Sequence, residues 1–341
     1  MRKSGPSVMR ILFAGNPKIG IPALEASSPL KTPGVELAGV LTNPDRPSRR
    51  GGKPEPSAVS AAASLLSETL RGQGYPPLVQ LKPDALDRTA LDMIAAIERP
   101  PDLLVSFAYG SLFSPEFLAL FPLGGINIHP SLLPRYRGAA PIPAAILNRD
   151  KETGVTIQTL APEMDAGAVL LQEKILLSGR ETAASLSETA AQKAGVMLSQ
   201  ALGALLKDGK DGLRGSPQQG NVSYCPRISK AEGAITFSWS AEEIDARIRA
   251  FTPWPLSWTR HKDRRLFILE AAAVIETAET AEARRGPVPG AVLGADEARG
   301  ILVQTGYGIL GVTRLQYQAK KALDWRAFLN GAHGILHAVL G

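Results

Sequence analysis

The sequence predicts an α/β fold in two parts, a larger domain built on a parallel sheet and a smaller domain built on an antiparallel sheet or barrel. Three observations support this prediction. The 341 residues exceed what a single hydrophobic core usually fills. Up to about residue 207, short apolar runs alternate with amphipathic helical patterns, which is typical of βαβ units. After a polar segment, further apolar runs are separated by Gly and Pro turns, which indicates antiparallel strands.

The first domain takes its sheet from four short apolar runs, which predict buried strands. They lie at residues 10–14, 35–41, 103–107 and 126–128. Between the strands, apolar residues recur on one helical face within residues 85–97 and again within 186–205. The segment that follows the first strand, from Gly15 to Gly20, lacks the G-x-G-x-x-G pattern of dinucleotide sites, so a nicotinamide cofactor is not expected.

Composition predicts where the domains meet. Residues 208–223 hold Asp, Gly, Ser, Pro, Gln and Asn with little apolar content, which indicates an exposed linker. We therefore expect a first domain at residues 1–207 and a second at 224–341. In the second domain, Ser240 and Glu243 have the spacing of a capping box at a helix start. Strands are predicted at residues 265–275, 300–305 and 309–317.

The overall composition is that of a globular protein, with 44% hydrophobic and 21% charged residues. The single Cys225 cannot form an internal disulfide, and no apolar run approaches the roughly 20 residues of a membrane helix, so we expect a cytoplasmic protein that makes no membrane contact. Residues 1–8 are expected to be a disordered leader. The formal net charge of +6 suggests a polyanionic partner.

A polar pair interrupts the predicted strand at residues 126–128. Because strand side chains alternate, Asn127 and His129 project from one face while Ile126 and Ile128 take the other. Ligands of open α/β sheets bind beyond the carboxyl ends of the strands, where this pair lies. An isolated N-x-H is more often a structural feature than a functional one, so its surroundings decide.

Those surroundings resemble a known family. The run Asn127-Ile128-His129-Pro130-Ser131-Leu132-Leu133-Pro134 is similar to the signature of enzymes that use 10-formyltetrahydrofolate, in which Asn, His and a later Asp surround the transferred formyl group. A loop that resembles the family's Asp-containing segment begins at Met164 and places Asp165 36 residues after His129. The resemblance implies a Rossmann-like formyltransferase domain and makes Asn127, His129 and Asp165 the candidate catalytic residues.

The same resemblance implies a folate site and a chemistry. The residues implied to line the folate site are Ser131, Leu132, Leu133, Pro134, Tyr109 and Gly110. An amine that attacks a formyl carbon generates an oxyanion and an ammonium, so hydrogen-bond donors and a proton acceptor are needed. We expect Asn127 and protonated His129 to donate to the oxyanion, with Asp165 stabilising His129. Which group accepts the amine proton stays open, and no metal is implied.

A basic segment near the N-terminus helps to identify the molecule that accepts the formyl group. Residues 42–53 form a Pro- and Gly-rich loop that resembles the loop of methionyl-tRNA formyltransferases that reaches the tRNA acceptor stem. The candidate tRNA contacts are Arg46, Arg49, Arg50 and Lys53. Arg49 replaces a more usual Gly of that loop, and Tyr136 and Pro143 replace a Trp and a Gln.

Further similarity lies near the C-terminus, at residues 228–230, 248–255 and 328–331. It implies an OB-like domain that binds tRNA, in a monomeric enzyme. The expected function is transfer of the formyl group of 10-formyltetrahydrofolate to methionyl-initiator-tRNA. A sugar-nucleotide formyltransferase is the alternative, and a nucleic-acid-binding module without catalysis is disfavoured because it would not need Asn127, His129 and Asp165 together.

Overall fold

A computed structural model of the chain describes residues 8–47, 52–274, 288–332, 334–336 and 338–341. It contains two compact units. The first comprises Met1–Pro141, Glu152–Leu176 and Ser187–Cys225, and the second comprises Ile142–Lys151, Leu177–Leu186 and Pro226–Gly341. The expected leader at residues 1–8 falls outside the described residues except for Val8.

Seven strands form the central sheet of the first unit. In chain order they are β1 (Met9–Gly15), β2 (Val35–Leu41), β5 (Val79–Leu81), β6 (Leu103–Phe107), β7 (Gly125–His129), β9 (Glu152–Thr159) and β10 (Val169–Leu176). Their order across the sheet is β10-β9-β7-β6-β1-β2-β5. All four strands predicted from apolar runs are present.

The sheet is parallel over five strands only. β5, β2, β1, β6 and β7 run parallel, whereas β9 pairs antiparallel with both β7 and β10. A hairpin loop at residues 160–168 joins β9 to β10 directly, and a short loop of this kind cannot connect parallel neighbours. The predicted parallel sheet is therefore confirmed for its main part and extended by an antiparallel edge.

Helices join the strands of this part of the chain. They are α1 (Ile21–Ala26), α2 (Ala58–Gly72), α3 (Arg88–Ala95), α4 (Pro115–Leu118), α5 (Pro141–Leu147) and α6 (Ala183–Asp208). The Asp87 side chain caps α3 by accepting from the backbone N–H groups of Thr89 and Ala90, so this helix begins later than the predicted residues 85–97. Along α6 the predicted apolar stripe is buried from Leu186 to Leu205.

Two pairs of short strands lie outside the central sheet. β3 (Arg46–Pro47) pairs antiparallel with β4 (Pro54–Glu55). β8 (Arg137–Gly138) pairs parallel with β11 (Tyr224–Cys225), so the chain after residue 223 returns to the loop that follows β7. Residues 208–223, predicted as a linker, make specific contacts: Ser216 bridges Val169, and the Ser223 hydroxyl accepts from the Tyr136 backbone N–H.

The second unit is built on an antiparallel sheet, as predicted. Its strands are β12 (Ser257–His261), β13 (Arg264–Val274), β14 (Val292–Asp296), β15 (Gly300–Gln304), β16 (Ile309–Tyr317) and β17 (Leu323–Asp324), with helices α7 (Ala241–Ala250) and α8 (Trp325–Gly331). The Ser240 and Glu243 capping box starts α7, and buried Ile244 and Ile248 join the sheet residues in one hydrophobic core. None of the helices in the described part of the chain is both long and apolar enough to cross a bilayer.

Candidate active site

The carboxyl end of β7 holds the polar pair, and Asp165 lies beside it. Asn127 Nδ2 donates to Asp165 Oδ1 at 3.2 Å. His129 Nδ1 lies 3.5 Å from the same oxygen. Asp165 comes from the loop between β9 and β10, and β9 is hydrogen-bonded to β7. The sheet topology thus brings together three residues that are separated by up to 38 positions in the chain.

His129 is held by contacts at both ring nitrogens. Nε2 lies 2.7 Å from the backbone carbonyl oxygen of Tyr136, and because a carbonyl only accepts, Nε2 carries a proton. Nδ1 faces the Asp165 carboxylate. Burial lowers the pKa of His129, while the Asp165 charge and the Tyr136 carbonyl oppose that shift without overcoming it. The resting ring is therefore neutral at pH 7, with its proton on Nε2 and a lone pair on Nδ1.

Asp165 is a nearly buried carboxylate with several donors around it. Its side chain is 12% exposed. Oδ1 also accepts from Gln158 Nε2 at 3.1 Å, and Oδ2 accepts from the Gly138 backbone N–H at 2.8 Å. These donors fix the direction of the carboxylate. Gln158 pairs with Asn127 across the two strands, which explains why both amides reach the same oxygen.

The local backbone of the Asp165 loop demands a glycine. A Cβ at Gly167 would collide with the carbonyl oxygen of Thr159, so only glycine lets the loop return this closely to β9. The loop is closed by the Thr159 N–H donating to the Ala168 carbonyl at 2.9 Å. Asp165 itself has a φ of 53°, a left-handed conformation that Asp tolerates better than most residues.

The predicted folate residues after β7 form a tightly bonded loop. Ser131, Leu133 and Pro134 are buried and Leu132 is half-buried. The Ser131 hydroxyl donates to the Arg135 carbonyl at 2.6 Å, and its own carbonyl accepts from Thr156 Oγ1 at 2.6 Å. These bonds hold the loop against β9. Ligand contacts from these residues stay a prediction.

The other predicted folate segment follows β6. Tyr109 is 4% exposed, and its ring packs in the core, stacked on Phe113 with ring centroids 5.5 Å apart. Gly110 is exposed, with a φ of 93°. The Tyr109 ring therefore belongs to the core, and the exposed residues at this strand end are its two neighbours, Ala108 and Gly110.

Asn16, at the end of β1, joins this segment to the basic loop. Its Nδ2 donates to the Tyr109 carbonyl at 2.6 Å, and its Oδ1 accepts from the Asn43 backbone N–H at 2.8 Å. Next to Asn43, the Asp45 carboxylate pairs with Lys82 at 2.6 Å. The base of the basic loop is therefore anchored.

The predicted tRNA residues lie in and around the hairpin of β3 and β4. Arg46, in β3, is exposed, and Lys53, directly before β4, is exposed too. Arg49 and Arg50 lie outside the described residues. Two of the four predicted contacts are thus located on one exposed hairpin, where cations could meet phosphates.

Four residues of the site are not predicted by the sequence. They are Tyr136, Arg137, Gln158 and Gln218. Gln158 could have been found, since it lies in the strand before Asp165 and strand alternation makes it available to a β7 residue. The Tyr136 contribution is a backbone carbonyl, which no side-chain pattern reveals. Among the described residues there is no group of three or more His, Cys, Asp and Glu that could hold a metal ion.

Comparisons with known proteins agree on one family across both units. Residues 9–202 match the family model "Formyl transferase", and residues 227–333 match "Formyl transferase, C-terminal domain". A protein named methionyl-tRNA formyltransferase from Treponema denticola is 44% identical over 331 residues, which cover 96% of this chain and 98% of that protein. A protein of the same name from Borrelia duttonii is 35% identical, with coverage of 97% and 99%.

Solved structures are similar in fold at low identity. HypX from Aquifex aeolicus in complex with tetrahydrofolic acid superposes with a TM-score of 0.58 at 15% identity, covering 97% of this chain and 49% of that one. An N-formyltransferase from Helicobacter canadensis in complex with folinic acid and dTDP-3-aminofucose gives a TM-score of 0.57 at 16% identity, covering 89% and 99%. At these identities the likeness concerns the fold.

Because His129 lies next to the Asp165 carboxylate, we expect the pKa of His129 to change when that carboxylate is neutralised. Asp165→Asn removes the negative charge that favours the imidazolium, so the pKa of His129 should fall further. Histidine ring signals followed by NMR through a pH titration would measure it. His261, whose pKa is lowered by burial and by Lys262 and Arg264, is the internal control and should not move. An unchanged His129 titration would contradict the coupling.

Proposed function

Because the chain belongs to the formyl transferase family, we propose that it transfers the formyl group of 10-formyltetrahydrofolate to the free amino group of methionyl-initiator-tRNA. The products are N-formylmethionyl-tRNA, for translation initiation, and tetrahydrofolate. The observation that carries the reaction type is the cluster of Asn127, His129 and Asp165 at the carboxyl edge of the sheet. Relatives named methionyl-tRNA formyltransferase, at 35–44% identity over nearly the whole chain, support the acceptor.

The cluster contains the donors and the acceptor that formyl transfer needs. One N–H of the Asn127 amide donates to Asp165, which leaves the second N–H to donate to a developing oxyanion. The neutral His129 ring has a lone pair on Nδ1, which can accept the proton released by the attacking amine. Asp165, close to Nδ1, then stabilises the imidazolium.

The role proposed here for His129 differs from the role expected from the sequence. The sequence leads to the expectation that Asn127 and a protonated His129 both donate to the oxyanion. Burial lowers the pKa of His129, and its Nε2–H is already used by the Tyr136 carbonyl. We therefore propose that the ring takes its second proton from the attacking amine and donates it to N10 of the folate as the bond between N10 and the formyl carbon breaks, while Asn127 donates to the oxyanion formed before that step.

The formyl donor is proposed to bind beside this cluster, along the loop of Ser131 to Pro134 and the exposed backbone at Gly110. The acceptor is proposed to be guided by the hairpin bearing Arg46 and Lys53, together with Arg49 and Arg50. We expect a monomeric cytoplasmic enzyme that uses no metal. The alternative function is that of a sugar-nucleotide formyltransferase. The Helicobacter canadensis enzyme, which is similar in fold, was solved with dTDP-3-aminofucose, so an amino sugar linked to dTDP is the competing acceptor to test.

The first test offers the protein two acceptors in parallel. With 10-formyltetrahydrofolate as donor, methionyl-initiator-tRNA should be formylated and a dTDP-linked amino sugar should not. Radiolabelled formyl transfer to each acceptor is the measurement. Transfer to the sugar alone would overturn the proposed acceptor while leaving the formyl chemistry intact, and transfer to neither would overturn the proposed function.

The second test concerns proton transfer. The pKa of His129 is depressed, so kcat should be constant near neutral pH and fall only as pH drops through that lowered pKa, below the ordinary value of about 6.5. His129→Ala, Asn127→Ala and Asp165→Ala should each reduce kcat by about 10²-fold or more, with little change in KM for the folate. Asn148→Ala, an exposed asparagine after α5, is the matched control. A kcat that already begins to fall at a pH above the ordinary histidine pKa of about 6.5 would contradict a neutral His129.

The third test concerns the basic hairpin. Arg50→Ala, Arg46→Ala and Lys53→Ala should raise KM for tRNA and make it less dependent on salt, by about one unit of log–log slope per lost phosphate contact. KM for the folate should not change. Arg88→Ala, which removes an exposed arginine paired with Asp92 on α3, is the control for a general change of charge. A salt-independent KM for tRNA in the unmodified protein would contradict the proposal.

A further inference from the structure

Gln218 donates to the loop that carries Asp165. Its Nε2 lies 2.7 Å from the carbonyl oxygen of Asp165 and 2.9 Å from that of Gly167. It also lies 3.1 Å from Gln158 Oε1. All three partners are acceptors, which fixes the orientation of the amide. Residues 208–223 were predicted to be an exposed linker, yet this side chain is part of the network around the carboxylate.

Arg137 holds the other end of the same amide. Its Nε and Nη2 lie 3.1 Å and 2.8 Å from Gln218 Oε1, a fork of two hydrogen bonds on one oxygen. Arg137 is 8% exposed, and its Nη1 pairs with Glu163 at 3.1 Å. A buried guanidinium with a planar fork fixes its partner more firmly than a flexible surface cation would. The position of Gln218 is thus set from both sides.

The network reaches the carboxylate by two routes. Gln218 contacts the Asp165 backbone carbonyl directly, and it orients Gln158, whose Nε2 donates to Asp165 Oδ1 at 3.1 Å. The Asp165 backbone has a φ of 53°, which costs conformational free energy and persists only where neighbouring contacts enforce it. Hydrogen bonds to the carbonyls of Asp165 and Gly167 are contacts of that kind.

We propose that Gln218 is a positioning residue for formyl transfer, which holds the Asp165 carboxylate against Asn127 and His129 through the loop carbonyls and through Gln158. The inference rests on the proposed function for its activity readout. Its physical reason is that a small displacement of a reacting or charge-stabilising group greatly reduces the rate of a preorganised site.

The decisive variant is Gln218→Glu. Glutamate keeps the shape and the Arg137 partner but replaces the donating amide nitrogen with an oxygen that faces three acceptors. We expect kcat to fall by about tenfold to a hundredfold, with KM for the folate nearly unchanged. Gln219→Glu makes the same charge change at the next, exposed position and should behave like the unmodified protein. Gln218→Met, which removes the donors without adding charge, should reproduce the loss.

Two further measurements separate positioning from a general loss of structure. Hydrogen–deuterium exchange should become faster in the peptide covering residues 160–168 in Gln218→Glu, and not in Gln219→Glu. In an Asp165→Asn background, Gln218→Glu should cause little additional loss of the residual kcat, because it acts through Asp165. Equal losses in both backgrounds, or unchanged exchange at residues 160–168, would overturn the inference.

The two hypotheses fail in distinguishable ways. If the unmodified protein does not formylate methionyl-initiator-tRNA, the proposed function fails, and the exchange experiment still decides whether Gln218 holds the loop. If the unmodified protein is active and Gln218→Glu and Gln218→Met are equally active, the positioning role is wrong and the proposed function stands.

Discussion

The burial of one carboxylate determines how the functional edge of the sheet is organised. Removing an ionised carboxylate from water is unfavourable unless donors replace the solvent. Asp165, with a side chain only 12% exposed, receives hydrogen bonds from Asn127, Gln158 and the Gly138 backbone. These donors come from β7, from β9 and from β8, the short strand in the segment after β7. Three separate parts of the chain therefore have to meet at one point.

That arrangement creates opposing effects at His129. Desolvation favours the neutral ring, whereas the nearby carboxylate and the Tyr136 carbonyl favour the protonated ring, and desolvation is the largest of the three. A group balanced in this way can gain a proton when charge develops beside it and lose it again afterwards. The same burial that makes Asp165 depend on its donors thus prepares His129 to exchange a proton.

The sequence predicted what depends on periodicity and on local chemistry. Strand alternation placed Asn127 and His129 on one face, and the resemblance of the following run supplied Asp165. The antiparallel edge formed by β9 and β10 was not predicted, because strand direction depends on how the hairpin at residues 160–168 pairs, and apolar runs do not encode direction. The polar composition of residues 208–223 is typical of a linker. It does not identify Gln218 as a site residue, because the partners of Gln218 are distant in the sequence and are brought near only by the fold.

The chemistry and the choice of acceptor depend on different physical properties of this chain. The cluster around Asp165 is largely buried and its geometry is fixed by hydrogen bonds, so it can define the reaction but has little freedom to distinguish one large acceptor from another. Arg46 and Lys53 are exposed on a short hairpin, where attraction to phosphates acts over several ångströms and weakens with salt. Asn16 connects the base of that hairpin to the backbone of Tyr109. A relative that keeps the cluster but changes the hairpin would therefore be expected to retain formyl transfer while accepting a different amine.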